Sequence, residues 1–187
     1  MARLSVFNNL TLDGYFSGKH GEFTWAKGHL DPEFNAFVSE NASSEGLLLL
    51  GRVTYELMAS YWPTPQAMKN DAAVAERMNS LRKIVFSRTL DKASWNNTNL
   101  VKGDLAVEIR KMKQGPGADM VILGSGSLVS QLVQDGLIDE YQMVVNPVVL
   151  GGGRTMFDDL LKPLELKLTK SRIFKNGNAF LCYEPIA

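Results

Sequence analysis

Val121-Ile122-Leu123-Gly124-Ser125-Gly126-Ser127-Leu128-Val129 reads as a buried strand, a turn with little side-chain bulk, and the start of a helix. The spacing predicts that the helix starts at Ser127 and stops at Gly136. Its apolar residues Leu128, Val129, Leu132 and Val133 keep to one face. A helix start presents unpaired backbone N–H groups and the positive end of the helix dipole, so it can hold a phosphate. The glycines allow a ligand to come close to the backbone. An ordinary dinucleotide-binding Rossmann unit is excluded. Its third glycine is replaced by Val129, and the acidic residue needed about twenty positions later falls in Met143-Val144-Val145. A Gly-Ser-Gly turn can also be a plain tight connection, so its meaning depends on the motifs around it.

The chain has 187 residues, enough for one sizeable core. Its 20 basic and 20 acidic side chains balance, and no basic block stands out. Neither nucleic acid nor an anionic membrane surface is favoured as a partner. The single cysteine, Cys182, excludes an intramolecular disulfide and suits a reducing cytoplasm. The segment Met1 to Asn9 is apolar too briefly for a signal peptide or a membrane span. His20 and His29 lie in one polar, glycine-rich segment. No Cys or carboxylate stands at ligand spacing, so no metal site is expected.

No repeat or linker divides the sequence, so residues 1–187 read as one domain. Leu4 to Asn8 is the first expected strand, and Leu12-Asp13-Gly14-Tyr15 is turn chemistry. Asp31-Pro32-Glu33 is a helix start, with Asp31 as cap and Glu33 in the first turn, followed by an apolar stripe of Phe34, Phe37 and Val38. Leu47 to Leu50 is a buried strand, which Gly51-Arg52-Val53-Thr54 ends by opening a helix through Met58. Trp62-Pro63-Thr64-Pro65 reads as a loop, and Asp71 to Ser80 as helical. Lys83 to Phe86 is another short strand, and Ala106 to Met112 an amphipathic helix ended by Gly115-Pro116-Gly117. Glu140 to Val145 is a strand. Two more, Leu166 to Phe174 and Ala179 to Glu184, flank an Asn176-Gly177 hairpin signal. The alternation of strands and helices predicts a mostly parallel sheet covered on both faces, with an antiparallel hairpin at its end.

In this order the chain resembles the dihydrofolate reductase-like superfamily, most closely the riboflavin biosynthesis reductase (RibD C-terminal domain) group. The motifs that carry the resemblance are Thr11-Leu12-Asp13-Gly14-Tyr15, Leu50-Gly51-Arg52-Val53-Thr54-Tyr55-Glu56, Lys83 to Arg88, Leu123-Gly124-Ser125-Gly126, and Pro147 to Phe157 with Gly151-Gly152-Gly153-Arg154. The resemblance implies an α/β three-layer fold with helices on both faces and NADPH as cofactor. Gly51, Arg52, Val53 and Thr54 would hold the cofactor pyrophosphate. Bare amides, an arginine and a hydroxyl converging at a strand end suit that role. A turn glycine with a solvated arginine is the alternative. Gly124, Ser125, Gly126, Ser127 and Leu128 would complete the cradle. Ser87 and Arg88 would meet the adenosine 2′-phosphate, where an arginine is a permanently charged, forked donor. Arg88 as an exposed loop charge is the competing reading. The first loop, with Asn9, Asp13, Gly14 and Phe16, would lie against the nicotinamide.

Dihydrofolate reductases carry an acid on the helix after the first loop that holds the pterin and supports its protonation; the nearest matches are Glu33 and Asp31, so the resemblance implies a proton from one of these or from water. The threonine that partners this acid corresponds to Val144 or Val145, which lack a hydroxyl, so folate reduction is disfavoured. A zinc deaminase domain often accompanies the riboflavin-pathway reductase, and its His-x-Glu and Cys-x-x-Cys ligands are absent from this sequence. Lys19, Lys27 and Arg154 are candidates for a sugar phosphate. Phe34, Tyr55 and Trp62 are candidate substrate walls. The expected function is NADPH-dependent hydride transfer to a small heterocycle, such as 5-amino-6-(5-phosphoribosylamino)uracil or a related pyrimidine or pterin. A non-catalytic NADPH-binding protein and a dihydrofolate reductase are the alternatives. A homodimer is expected, because long apolar strands at a sheet edge need cover.

Overall fold

The structure is a computed structural model that describes residues 1–26, 31–42, 46–157 and 160–186. Lys27 and His29 lie outside the described residues. Eight strands form one sheet: β1 (Leu4–Thr11), β2 (Leu47–Gly51), β3 (Lys83–Phe86), β4 (Thr98–Val101), β5 (Met120–Leu123), β6 (Glu140–Asn146), β7 (Leu166–Ile173) and β8 (Ala179–Pro185). Their order is β4-β3-β2-β5-β1-β6-β8-β7. The pairs from β4 through β6 are parallel, and β6–β8 and β8–β7 are antiparallel. The helices are α1 (Pro32–Ala42), α2 (Arg52–Tyr61), α3 (Pro65–Asn70), α4 (Ala72–Ser80), α5 (Leu105–Gln114) and α6 (Gly126–Gln134). The described chain thus has the three-layer α/β arrangement expected, with the antiparallel hairpin at its C-terminal end.

Alternation along the strands sorts the core into two layers. Leu4, Val6, Leu49 and Ile122 face α5 and α6, where Ile109, Val129 and Leu132 complete a cluster. Leu48, Leu50 and Val85 point the other way, onto Tyr55 of α2 and Met78 of α4. On that second face, Phe34 and Phe37 of α1 pack with Phe174 and Phe180. One buried cation serves the scaffold. The Lys83 ammonium donates to the carbonyls of Met78 at 2.8 Å and Leu81 at 2.6 Å, and sits 4.3 Å from the centre of the Trp95 ring. It closes the C-terminal end of α4, where carbonyls lack intrahelical partners.

Three elements differ from expectation. The Trp62–Pro65 stretch is not all loop. Pro65 opens α3, and the Thr64 hydroxyl caps it by accepting from Ala67 N at 3.2 Å. β4 was not expected at all. Helix α6 begins at Gly126 rather than at Ser127, with Ser125 in the cap position but making no side-chain cap bond. It ends as expected at Gly136, whose φ of +60° lets Leu137 N reach Leu132 O and Gly136 N reach Val133 O, each at 3.2 Å. Among the described residues, no helix is long and apolar enough to cross a membrane.

Candidate active site

A cleft of about 990 Å³ runs along the C-terminal ends of the parallel strands. Two strand-to-helix turns form its floor, and they are stitched together. The Gly51 amide donates to Ser125 Oγ at 2.9 Å, and Ser125 Oγ donates in turn to Leu123 O at 3.2 Å. Thr54 Oγ1 donates to Gly124 O at 3.1 Å. Gly124 has a φ of +65°, and a Cβ there would lie 3.3 Å from the Thr54 methyl. The serine and threonine hydroxyls therefore hold the turns side by side and are spent on the scaffold.

The helix N-termini set in this way are bare. Gly51 and Ser125, the caps of α2 and α6, make no side-chain cap bond. In contrast, Thr64, Asp71 and Asp104 cap α3, α4 and α5 through their side chains. Neither helix that opens on the cleft has a side-chain acceptor for its first amides; in α6, Leu128 N already bonds Ser125 O at 3.0 Å, which leaves those of Gly126 and Ser127. Both dipoles also point their positive ends at the cleft. Three arginines, Arg52, Arg88 and Arg154, line the cleft, and no carboxylate, histidine, lysine, cysteine or tyrosine does so among the described residues. Arg52 is held by Glu56 one turn on, at 2.9 Å. Arg88 makes no side-chain hydrogen bond or ion pair among the described residues. Ser87, beside it, accepts from Leu90 N at 3.0 Å and shapes its turn. The charged side chains that line the cleft are thus all cationic, with Arg52 offset by Glu56.

The first loop forms the side wall. Phe16 N donates to Arg154 O at 3.0 Å, and Arg154 N to Ser17 O at 2.9 Å. Gly153 is where this wall touches the Gly-Gly-Gly-Arg segment. A Cβ there would meet Ser17 O at 2.3 Å, so no larger residue fits without displacing backbone. The Phe16 ring lies flush on the N-terminus of α6. A Cβ on Gly126 would stand 2.4 Å from it.

Asn9, Phe16, Gly51, Arg52, Val53, Thr54, Ser87, Arg88 and the run Gly124, Ser125, Gly126, Ser127 and Leu128 all line the cleft. Asp13 and Gly14 do not line it. The Asp13 carboxylate turns away, accepting from the Thr11 hydroxyl at 2.6 Å and from Gly151 N at 2.8 Å. It clamps the first loop to the glycine segment. The Thr11 hydrogen bond, reinforced by the Gly151 and Leu150 amides against some desolvation, holds its pKa below the usual value.

The acids proposed as proton donors also lie outside the lining. Asp31 caps α1 through Glu33 N at 2.9 Å and receives Asn176 N at 3.1 Å. Burial would raise its pKa, but the amides of Asn176, Phe34 and Glu33 outweigh it and keep it low. Glu33 pairs with Arg172 at 2.7 Å. Of the expected substrate walls, Trp62 lines the cleft. Phe34 belongs to the aromatic cluster under α1. Tyr55 is core, its hydroxyl accepting from Ser94 N at 2.8 Å. The sequence reading missed Phe7, Asn8, Val38 and Met58 as lining residues. Period-two alternation in β1 could have placed Phe7 on the Asn9 face, but gives no sign that this face opens on a cleft.

A mostly parallel sheet with a cleft at its strand ends is common to many α/β families, and the comparison with known proteins decides among them. The family model "RibD C-terminal domain" matches residues 3–180, and the chain belongs to that family. It is 30% identical over 174 residues to the uncharacterized protein YyaP of Bacillus subtilis (strain 168), covering 93% of this chain and 90% of that one. Acinetobacter baumannii RibD superposes with a TM-score of 0.72 at 18% identity, over 100% of this chain and 59% of that chain. The diaminohydroxyphosphoribosylaminopyrimidine deaminase/5-amino-6-(5-phosphoribosylamino)uracil reductase of Thermotoga maritima superposes with a TM-score of 0.68 at 15% identity, over 99% of this chain and 57% of that chain. At these identities the structural likeness establishes a shared fold.

Proposed function

We propose that the chain is an NADPH-dependent reductase of a small pyrimidine-type heterocycle. The observation that carries this reading is the pair of stitched, uncapped helix N-termini facing a cleft with three arginines. A dinucleotide with a pyrophosphate and a 2′-phosphate fits that donor set. Gly126 and Ser127 amides on one side, and Arg52 and Val53 amides on the other, would hold the pyrophosphate. Arg88 would take the 2′-phosphate through its forked guanidinium. Phe16 of the first loop would bound the nicotinamide, with Asn9 of the first strand where the nicotinamide and the acceptor would meet. When bound, NADPH supplies a hydride at its ring C4. The apolar wall of Phe7, Met58 and Trp62 would exclude water and align the acceptor. The activity of the Thermotoga maritima relative points to 5-amino-6-(5-phosphoribosylamino)uracil as the first compound to try.

The lining holds no carboxylate among the described residues, so solvent is the proposed proton source rather than Asp31 or Glu33. The same observation gives a second reading some support, that of an NADPH-binding protein without catalysis. The test is steady-state NADPH oxidation by purified protein, with that pyrimidine and with dihydrofolate. Turnover with the pyrimidine and little with dihydrofolate is the expected result. NADPH binding with no turnover of either compound favours the non-catalytic reading. Failure of NADPH to bind overturns both.

A further inference from the structure

The cleft has two unlike halves. On the α5–α6 face of the sheet it is lined by polar turns, Phe16 and Arg154. On the opposite face Phe7, Val38, Met58, Trp62 and Leu123 make it apolar. β1 runs between them, and alternation puts Asn9 on the second side with Phe7. Asn9 is thus a polar side chain of β1 against an otherwise hydrocarbon wall.

Its orientation follows from its neighbour. Asn146, at the end of β6, is only 3% exposed. Its side-chain nitrogen lies 3.1 Å from Val144 O and 3.2 Å from Leu10 O. Only an NH₂ group can face two main-chain carbonyls, so the carboxamide of Asn146 cannot be reversed. The same nitrogen meets Asn9 Oδ1 at 3.2 Å, so its two hydrogens are shared among three oxygens. An Asn9 turned the other way would set two NH₂ groups against each other, so its oxygen is the end that faces Asn146. Its Nδ2, with two donor hydrogens, is the end left without a partner among the described residues. That donor opens on the cleft, where an acceptor on a ligand can take the place of solvent.

We infer that Asn9 is a specificity-determining residue, donating from Nδ2 to a carbonyl oxygen of the heterocycle, and that Asn146 is the positioning residue that fixes it in that sense. The inference rests on the reductase reading for which half of the cleft takes substrate. It implies a neutral ring with an exocyclic carbonyl, such as a uracil, and disfavours a ring that offers only donors at that edge.

The experiment is calorimetric titration of the full chain, with and without saturating NADPH, using two probes. One is 5,6-diaminouracil. The other is 4,5-diaminopyrimidine, which keeps the ring and amines but lacks both carbonyl oxygens. The wild type is expected to prefer the uracil by about fivefold or more, the worth of one hydrogen bond. Asn9→Asp keeps an oxygen facing Asn146 but replaces the donor with an acceptor, and is expected to abolish or invert the preference. Asn146→Ala leaves the Asn9 side chain intact but free to turn, and is expected to shrink the preference. A merely structural role for either residue would lower both affinities together and leave their ratio unchanged, which would overturn the inference. So would a wild type with no preference, or variants that alter NADPH affinity but not the ratio. If NADPH does not bind yet the ratio responds as stated, the reductase reading falls and the role of Asn9 stands.

Discussion

A Cβ on Gly126 would sit 2.4 Å from the ring of Phe16, and this contact sets the expected behaviour of the residue. The obstacle is the far end of a side chain, which can swing aside, rather than fixed backbone. A Gly126→Val variant should therefore fold, with the ring displaced towards the cleft and a branched side chain on the first helical turn. NADPH affinity is expected to fall by at least about tenfold, while the melting temperature without ligand falls by only a few degrees, corresponding to about 1 kcal/mol or less. A loss of stability as severe as the loss of affinity would make the glycine structural. The sequence marked this glycine as a place of close approach. It gave no hint that a ring from the first loop approaches it, because that contact joins residues far apart in the chain.

Asp13 offers a pH test at the same scale. Its folded-state pKa lies below the ordinary value of 3.8, chiefly through the Thr11 hydroxyl. A carboxylate with a lowered folded pKa stabilises the native state above its unfolded pKa, and that contribution is lost as pH falls through the folded value. The stability gap between wild type and Asp13→Ala should thus be level above about pH 5 and shrink below about pH 4. Denaturant midpoints measured across that range will show it. A gap independent of pH would mean that the clamp does not act through the ionised carboxylate.

At the scale of the element, α2 and α6 were legible from the sequence because each follows an apolar run that stops at glycine. The missing caps were not legible. Ser127 reads as the helix start, yet the cap position falls to Ser125, which gives its hydroxyl to the turn and receives the Gly51 amide instead. β4 was missed because Thr98-Asn99-Leu100-Val101 is an edge strand of four residues, too short to show a clear period, and its place is fixed by pairing with β3. Two prolines hid α3, although Thr64 caps it and Pro65 sits in its first turn. The uncapped pair carries its own prediction. Inorganic pyrophosphate should raise the melting temperature more than sodium chloride at equal ionic strength, because it binds the native state alone. Equal shifts with the two salts would show that the bare amides are not an anion site.

For the whole molecule, the strand types and the terminal hairpin could be read from local pattern, but the strand order could not. Placing β5 between β1 and β2 depends on pairings between distant segments. The candidate site divides along the same line. The glycine turns are local signals and their residues do line the cleft. The acids Asp31 and Glu33 were chosen by position along the chain, and the fold carries them towards Asn176 and Arg172 of the terminal hairpin. That hairpin also bears on assembly. Every residue of β7 after Leu166 is exposed, including Leu168 and Ile173, and β7 is an edge strand. Its unpaired backbone groups and these two exposed apolar side chains favour pairing, although Lys167, Lys170 and Arg172 on the same edge oppose it. We expect a homodimer, seen by light scattering at micromolar concentration as twice the chain mass. A monomer under those conditions would contradict this.

The cofactor site is tested most directly by comparing NADPH and NADH in calorimetric titrations of the wild type and Arg88→Ala. NADPH is expected to bind the wild type at least about tenfold more tightly than NADH, a difference of about 1.4 kcal/mol, and the substitution is expected to remove most of that preference. Equal affinities in the wild type, a preference that survives the loss of Arg88, or no binding of either nucleotide would contradict it.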